Sequence, residues 1–230
     1  MVFDLHSHTY YSGCGRDEPH LLVQAAAEQG VELLGITDHN YGIGTRKAEY
    51  LREMRAVAAD FHDRLRVLCG IEIATLPQLF DLADPSEIAA YDYALIEHMD
   101  NPDSLAWDDF FGFCKRLGIP CGIAHTDLFA YCAVRGLEPL SFFKELAANG
   151  IFWEMNVNYD SIHGFRTHPY VARFVTASEE IATVRESDVA VSVGFDSHRA
   201  EEYDGERVQR MCAFLEQSGI RTADEFFTNK

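Results

Sequence analysis

The chain has 230 residues, 47% of them apolar, and 19 Lys and Arg stand against 37 Asp and Glu, a formal charge of −18. This length is at the upper end for one α/β unit and would leave two separate cores small, so a single domain is expected over 1–230. A surface this acidic repels phosphate backbones and anionic lipid, which argues against stable nucleic-acid or membrane-surface partners. No run approaches the roughly 18–20 apolar residues that span a bilayer. The start MVFDLHSHT lacks the basic and long apolar parts of a secretory signal. The six cysteines are scattered without a CxxC pair, as suits reduced thiols. A cytoplasmic protein is expected.

In chain order, short apolar runs predict strands at Val2–Leu5, Leu33–Ile36, Val67–Ile73, Tyr93–Ile96, Ile119–Ala124, Ile151–Val157 and Val189–Phe195. Helical spacing between and after them predicts helices over Pro19–Gln29, Thr45–Leu65, Ser104–Leu117, Pro139–Ala148, Pro169–Ser187 and Gly205–Gln217. Pro or Ser/Thr opens several of these and Gly follows the end of several, the usual asymmetry of helix punctuation. Strands alternating with helices mean parallel pairing through helical crossovers, hence an α/β fold. No GxGxxG follows the first strand and no GxxxxGK[ST] occurs anywhere, so the common nucleotide-binding open sheets lose support and a barrel is favoured.

Histidines gather just after five of the seven predicted strands: His6 and His8, His39, His98, His125 and His198. The third strand carries Glu72 and the seventh leads into Asp196. In a parallel α/β fold the carboxyl ends of all strands face one rim, so these residues should converge. Burying that many imidazoles unpartnered would cost about 1–3 kcal/mol each. Divalent cations remove the problem, because neutral imidazole and carboxylate are the donors that zinc, manganese and iron accept. In His6-x-His8 both rings lie on one face of an extended segment, and Asp196-x-His198 repeats the spacing.

The ordered set Asp4 to His8, Thr37-Asp38-His39-Asn40, Gly70-Ile71-Glu72, His98, His125 and Phe195-Asp196-Ser197-His198 resembles the PHP superfamily, named for polymerase and histidinol phosphatase domains, over almost the whole chain. The resemblance implies a distorted seven-stranded (β/α) barrel, TIM-like, with two or three metal ions at its rim and phosphoester hydrolysis as its usual chemistry. It implies His6, His8, Glu72 and Asp196 around one ion, Glu72 bridging to a second held by His98 and His125, and His39 and His198 helping to hold a third. At the position where related proteins offer His or Asp, this chain has Cys14, with Asp17 as the other candidate. A thiolate suits a borderline ion such as zinc.

Adjacent dications lower the pKa of a bridging water and neutralise phosphoryl oxygens, so a metal-activated hydroxide is the expected nucleophile, with His39 and Asp196 in the catalytic roles. Asp4 and Asp38 are candidates for orienting the ligands. The polar segment from Asn156 to His168 brings Arg166 for phosphate and His168 for the leaving alcohol; Arg16 and Arg199 are weaker phosphate candidates. Small phosphorylated metabolites remain acceptable substrates despite the net charge, since dications dominate locally and diffuse charge is screened beyond about 8–10 Å. Two further readings are an amidohydrolase-like hydrolase and a non-catalytic metal-binding module.

Overall fold

The computed structural model describes residues 1–80, 85–158 and 168–228. Seven parallel strands follow one another in sequence order: β1 (Phe3–Asp4), β2 (Leu33–Ile36), β3 (Arg66–Ala74), β4 (Tyr93–Glu97), β5 (Cys121–Ile123), β6 (Ile151–Asn156) and β7 (Val191–Gly194). The edges approach each other at the rim. Leu5 N–H donates to the Val193 carbonyl at 2.8 Å, Asp196 N–H to His6 at 2.7 Å and His8 N–H to Ser197 at 2.7 Å. The result is a nearly closed α/β barrel, as the sequence predicts.

The strands read as near-continuous apolar runs because both faces are covered, by helices outside and by packed side chains inside. Inside, Tyr93 is fully buried and donates from its hydroxyl to the Leu5 carbonyl at 2.7 Å. A Cβ at Gly35 would overlap that hydroxyl, so the bare glycine in β2 makes room for a tyrosine two strands away.

Helices α1 (Pro19–Glu28), α3 (Lys47–Phe61), α4 (Phe110–Leu117), α6 (Pro139–Ala148) and α9 (Gly205–Gln217) answer to predicted ones. The helices differ from the expected ones in three respects. The predicted start at Ser104 is too early, because Ser104 instead hydrogen-bonds to the Thr75 hydroxyl at 2.7 Å and the helix begins after the Asp109 cap. The single helix predicted over Pro169–Ser187 is two, α7 (Pro169–Phe174) and α8 (Ser178–Ser187). Helices α2 (Asn40–Ile43), α5 (Leu128–Arg135) and α10 (Glu225–Thr228) were not predicted. The signal for α5 is in the chain nonetheless: Asp127 caps its start by accepting from Ala130 N–H at 3.0 Å, and Gly136 ends it at φ 63°. Among the described residues, no helix is long and apolar enough to cross a membrane.

Candidate metal centre

The strand ends bring His6, His8, His39, Glu72, His125, Asp196 and His198 together as overlapping triads. His6, His8 and Asp196 form one; Glu72 joins His6 and His125 in a second and His8 and His39 in a third; Cys14 joins His8 and His198 in a fourth. Within each triad the donor atoms all lie within 4.8 Å of one another. They open into a cavity of about 450 Å³ that has no Lys or Arg among its described lining residues.

Glu72 occupies the centre. Its Oε1 lies 3.1 Å from His125 Nε2, and its Oε2 lies 2.9 Å from His39 Nδ1, 3.3 Å from His8 Nε2 and 3.4 Å from His6 Nε2. A fully buried carboxylate that faces four rings with two oxygens has the donor arrangement that could hold cations on both sides. Asp196 Oδ1 faces His8 Nε2 at 3.2 Å and His6 Nε2 at 3.6 Å, while Asn156 Nδ2 donates to its Oδ2 at 3.2 Å.

The outer nitrogens of the rings are occupied from behind. His6 Nδ1 donates to Glu154 Oε1 at 2.8 Å. His8 Nδ1 donates to Ser12 Oγ at 2.9 Å, and Ser12 Oγ passes its own proton to Asp38 Oδ1 at 2.5 Å. His198 Nδ1 donates to the Asp196 carbonyl at 3.0 Å. Each such bond fixes the tautomer that turns Nε2 toward the centre, which is how outer partners prepare imidazoles for a metal. The buried His39 Nδ1, Glu72 Oε2, Glu97 Oε1 and His98 Nδ1 make no well-aligned hydrogen bond, although His39 Nδ1 and Glu72 Oε2 lie 2.9 Å apart. Buried polar atoms without such bonds, aimed at a common space, fit divalent cations.

Charge points the same way. Burial acts against the His6 ring, but Glu154, Glu72 and Asp196 raise its pKa well above the ordinary histidine value. Despite burial, Glu72 above all lifts His39 to about 11 and His125 to about 9. His8, dominated by burial, falls to about 3. Against their own desolvation, Glu72 and Asp196 are held well below the usual carboxylate range, with His6 the leading cause. Burial and then Glu72 push Glu97 up to about 7. The carboxylates therefore draw positive charge into the centre, as protons or as metal. Three site residues also hold positive φ, His98 at 64°, Asp196 at 54° and His125 at 22°, a backbone cost of about 1–3 kcal/mol each that functional sites commonly carry.

Several sequence readings land elsewhere. His98 lines the cavity but joins none of the triads; its Nδ1 lies 3.5 Å from Glu97 Oε2. Asp17 is not a ligand candidate, because its Oδ2 accepts from Ala200 N–H at 2.7 Å in a different groove that it shares with Arg16. Arg199 pairs with Glu202 at 3.1 Å. Neither arginine lines the cavity. His168 stacks on His125 with parallel rings 5.8 Å apart and is not among the described residues that line the cavity. Arg166 lies outside the described residues. Asp4 touches no imidazole side chain within hydrogen-bond reach; it accepts from the N–H groups of His6 and Phe195 and from Tyr203 Oη, fixing the backbone of the first and last motifs. Asp38 acts on His8 through Ser12.

Sequence reasoning missed Glu154, a carboxylate in the middle of β6. It accepts from His6 Nδ1 and from His125 N–H at 2.6 Å, and a Cβ at Gly194 would overlap it. A lone Glu inside the run Ile-Phe-Trp-Glu-Met was the available signal. Glu97, at the end of β4, also lines the cavity.

The family model for the PHP domain matches residues 4–151. An uncharacterized protein of Methanocaldococcus jannaschii is 39% identical over 62 aligned positions, covering 21% of this chain and 36% of the relative, so the match spans about a third of that protein. Among solved structures, the histidinol phosphate phosphatase HISK of Lactococcus lactis, complexed with zinc, L-histidinol and phosphate, superimposes at TM-score 0.66 with 17% identity, over 96% of this chain and 95% of that one. A Listeria monocytogenes hisK chain gives TM-score 0.49 and 15% identity over 86% of this chain and 96% of its own. With the ordered motifs at the strand ends and a family match over most of its length, the chain belongs to the PHP domain family.

Proposed function

We propose that this chain is a phosphomonoesterase that works with two or three divalent transition-metal ions, zinc, manganese or iron, on a small phosphorylated metabolite. The observation that carries the reading is the convergence of Glu72 with four imidazoles whose ring nitrogens face one shared space. The Lactococcus lactis relative in fold was crystallised with zinc and phosphate, which is in keeping with it. When bound, the cations supply a water acidified toward neutrality and positive charge against the phosphoryl oxygens.

The chain's own part is placement. Glu72 and Asp196 would offer carboxylate oxygens to the ions, His6, His8, His39, His125 and His198 would offer ring nitrogens, and Cys14 and His98 stand at the wall as further donors. Glu154 and the Asp38–Ser12 pair hold His6 and His8 in the required tautomers. Because no described lining residue is a Lys or Arg, substrate phosphate would be met by the ions; Arg166, the sequence's candidate for phosphate, lies outside the described residues. A cavity of about 450 Å³ suits a metabolite, and a net charge of −18 disfavours a polynucleotide. The same charge and the reduced thiols are in keeping with a cytoplasmic protein.

The test is a panel of phosphorylated metabolites and p-nitrophenyl phosphate beside a generic ester and a lactone, with zinc or manganese supplied. Phosphate release alone supports the reading. Ester or lactone cleavage alone would assign an amidohydrolase-like enzyme, and inertness of the metal-loaded protein would leave a binding module. His39→Ala and Asp196→Asn should lose at least about 100-fold in turnover with circular dichroism unchanged.

A further inference from the structure

The donors around the cavity divide into two kinds. Toward β3 and β5 they are carboxylate and imidazole, Glu72 with His6 and His125; toward the β1 loop they are sulfur and imidazole, Cys14 with His198 and with His8, which stands between the two parts because it also meets Glu72 and Asp196. The other five cysteines take no part in any of these groups. The Cys14 sulfur and one ring nitrogen each of His8 and His198 all lie within 4.8 Å of one another.

The loop is built to hold the sulfur there. Asp38 anchors its start by accepting from Ser12 N–H at 3.0 Å and from Ser12 Oγ. Arg16 N–H donates to the His198 carbonyl at 2.9 Å, tying its end to the residue whose ring faces the thiol. Between these ties Gly13 takes φ 80°. Gly15 lies so close to the Thr9 backbone that a Cβ would overlap it, and a Cβ at Gly42 would overlap Ser12 in the same way. The chain thus gives up side chains at Gly15 and Gly42 to press Cys14 toward the rim. His39, nine-tenths buried, lines the same cavity and turns its Nδ1 to Glu72 Oε2 at 2.9 Å.

We propose that the centre is chemically split: Cys14, His8 and His198 form a thiolate site that selects a soft or borderline ion such as zinc, while the carboxylate-bridged part accepts harder ions such as manganese, so that the protein can hold two different metals at once. Thiolate favours zinc over manganese, whereas carboxylate with imidazole discriminates far less. A sulfur and two nitrogens leave one position of a tetrahedral zinc ion open. The inference concerns which ions are held and deepens the proposed function without depending on turnover.

The experiment is a cobalt(II) titration of the full chain, stripped of metal by chelator, followed in the near ultraviolet where thiolate-to-cobalt charge transfer absorbs. The wild type should develop the band, and Cys14→Ser should lose it while keeping its circular dichroism. Cys14→Asp, which retains a charged donor, should lose the band and shift the zinc-over-manganese preference of one ion by at least about tenfold. Zinc should also shield the exposed Cys14 thiol from alkylation where manganese does not. A band that persists in Cys14→Ser, no band in the wild type at saturating cobalt, or equal shielding by the two metals would overturn the split centre. The phosphatase reading fails separately, if protein that shows the band releases no phosphate from any ester tested.

Discussion

His6 and His8 point their Nε2 atoms at each other across 2.9 Å, each with its Nδ1 committed elsewhere. Two lone pairs cannot face one another at that distance, so without a metal one proton sits between them. The shifts say whose it is: His6 is raised well above the ordinary value and His8, buried, falls to about 3. A cation entering must displace that proton.

Zinc added to the metal-free chain at pH 7 should therefore release roughly one proton or more per chain, read with an indicator dye in weak buffer. Because the raised His6, His39 and His125 hold protons that compete with metal, affinity should fall as pH falls. Metal binding independent of pH between 6 and 8, roughly the histidine range, would contradict the protonation scheme.

Glu154 acts through His6, not on substrate. Glu154→Gln preserves shape but weakens the acceptor, and should reduce metal affinity by about 10–100-fold while thermal unfolding changes little. Gly194→Ala should do at least as much harm, since the added methyl overlaps the Glu154 carboxylate. Unaltered metal affinity in both variants would remove Glu154 from the account.

Ser12→Ala should break the link from Asp38 to His8 and leave His39 N–H, now 3.1 Å from Ser12 Oγ, without that acceptor. The expected loss is about 1–3 kcal/mol of stability and a fall in metal affinity that Ser12→Thr partly restores. Equal affinity in wild type and Ser12→Ala, measured by competition with a chelating dye, would show that His8 needs no such partner.

Away from the centre, Asp127 caps α5 and pairs with Arg173 through both oxygens at 2.7 and 2.8 Å. Although partial burial opposes it, the Arg173 pairing lowers its pKa. A carboxylate depressed on folding stabilises above its unfolded pKa and loses that contribution as pH falls through the folded value. Asp127→Ala should cost about 1 kcal/mol at pH 7, mostly from the cap because the pair is partly solvent-screened. The difference should shrink below about pH 4, a window that chemical denaturation at several pH values resolves.

The barrel was legible because parallel strands buried on both faces leave apolar runs, and the rim was legible because strand ends carry the histidines. Element bounds were less so. Ser104 looks like a helix start, yet its hydroxyl is taken by Thr75, just past the end of β3, a contact no local pattern announces. Glu154 and the Ser12 link escaped notice for the same reason: their partners lie 148 and 26 residues away in the chain. His98 shows the converse, a histidine in the right place along the sequence whose ring joins none of the clustered donor groups.

The most direct measurement is the metal content of the purified chain after incubation with zinc and removal of free ion. Elemental mass spectrometry should find two or three ions per chain, falling when Glu72 is replaced by Gln, because one carboxylate faces four of the rings. Fewer than about one ion per chain in a folded wild-type protein, or a content unaffected by Glu72→Gln, would contradict a shared metal centre at this rim.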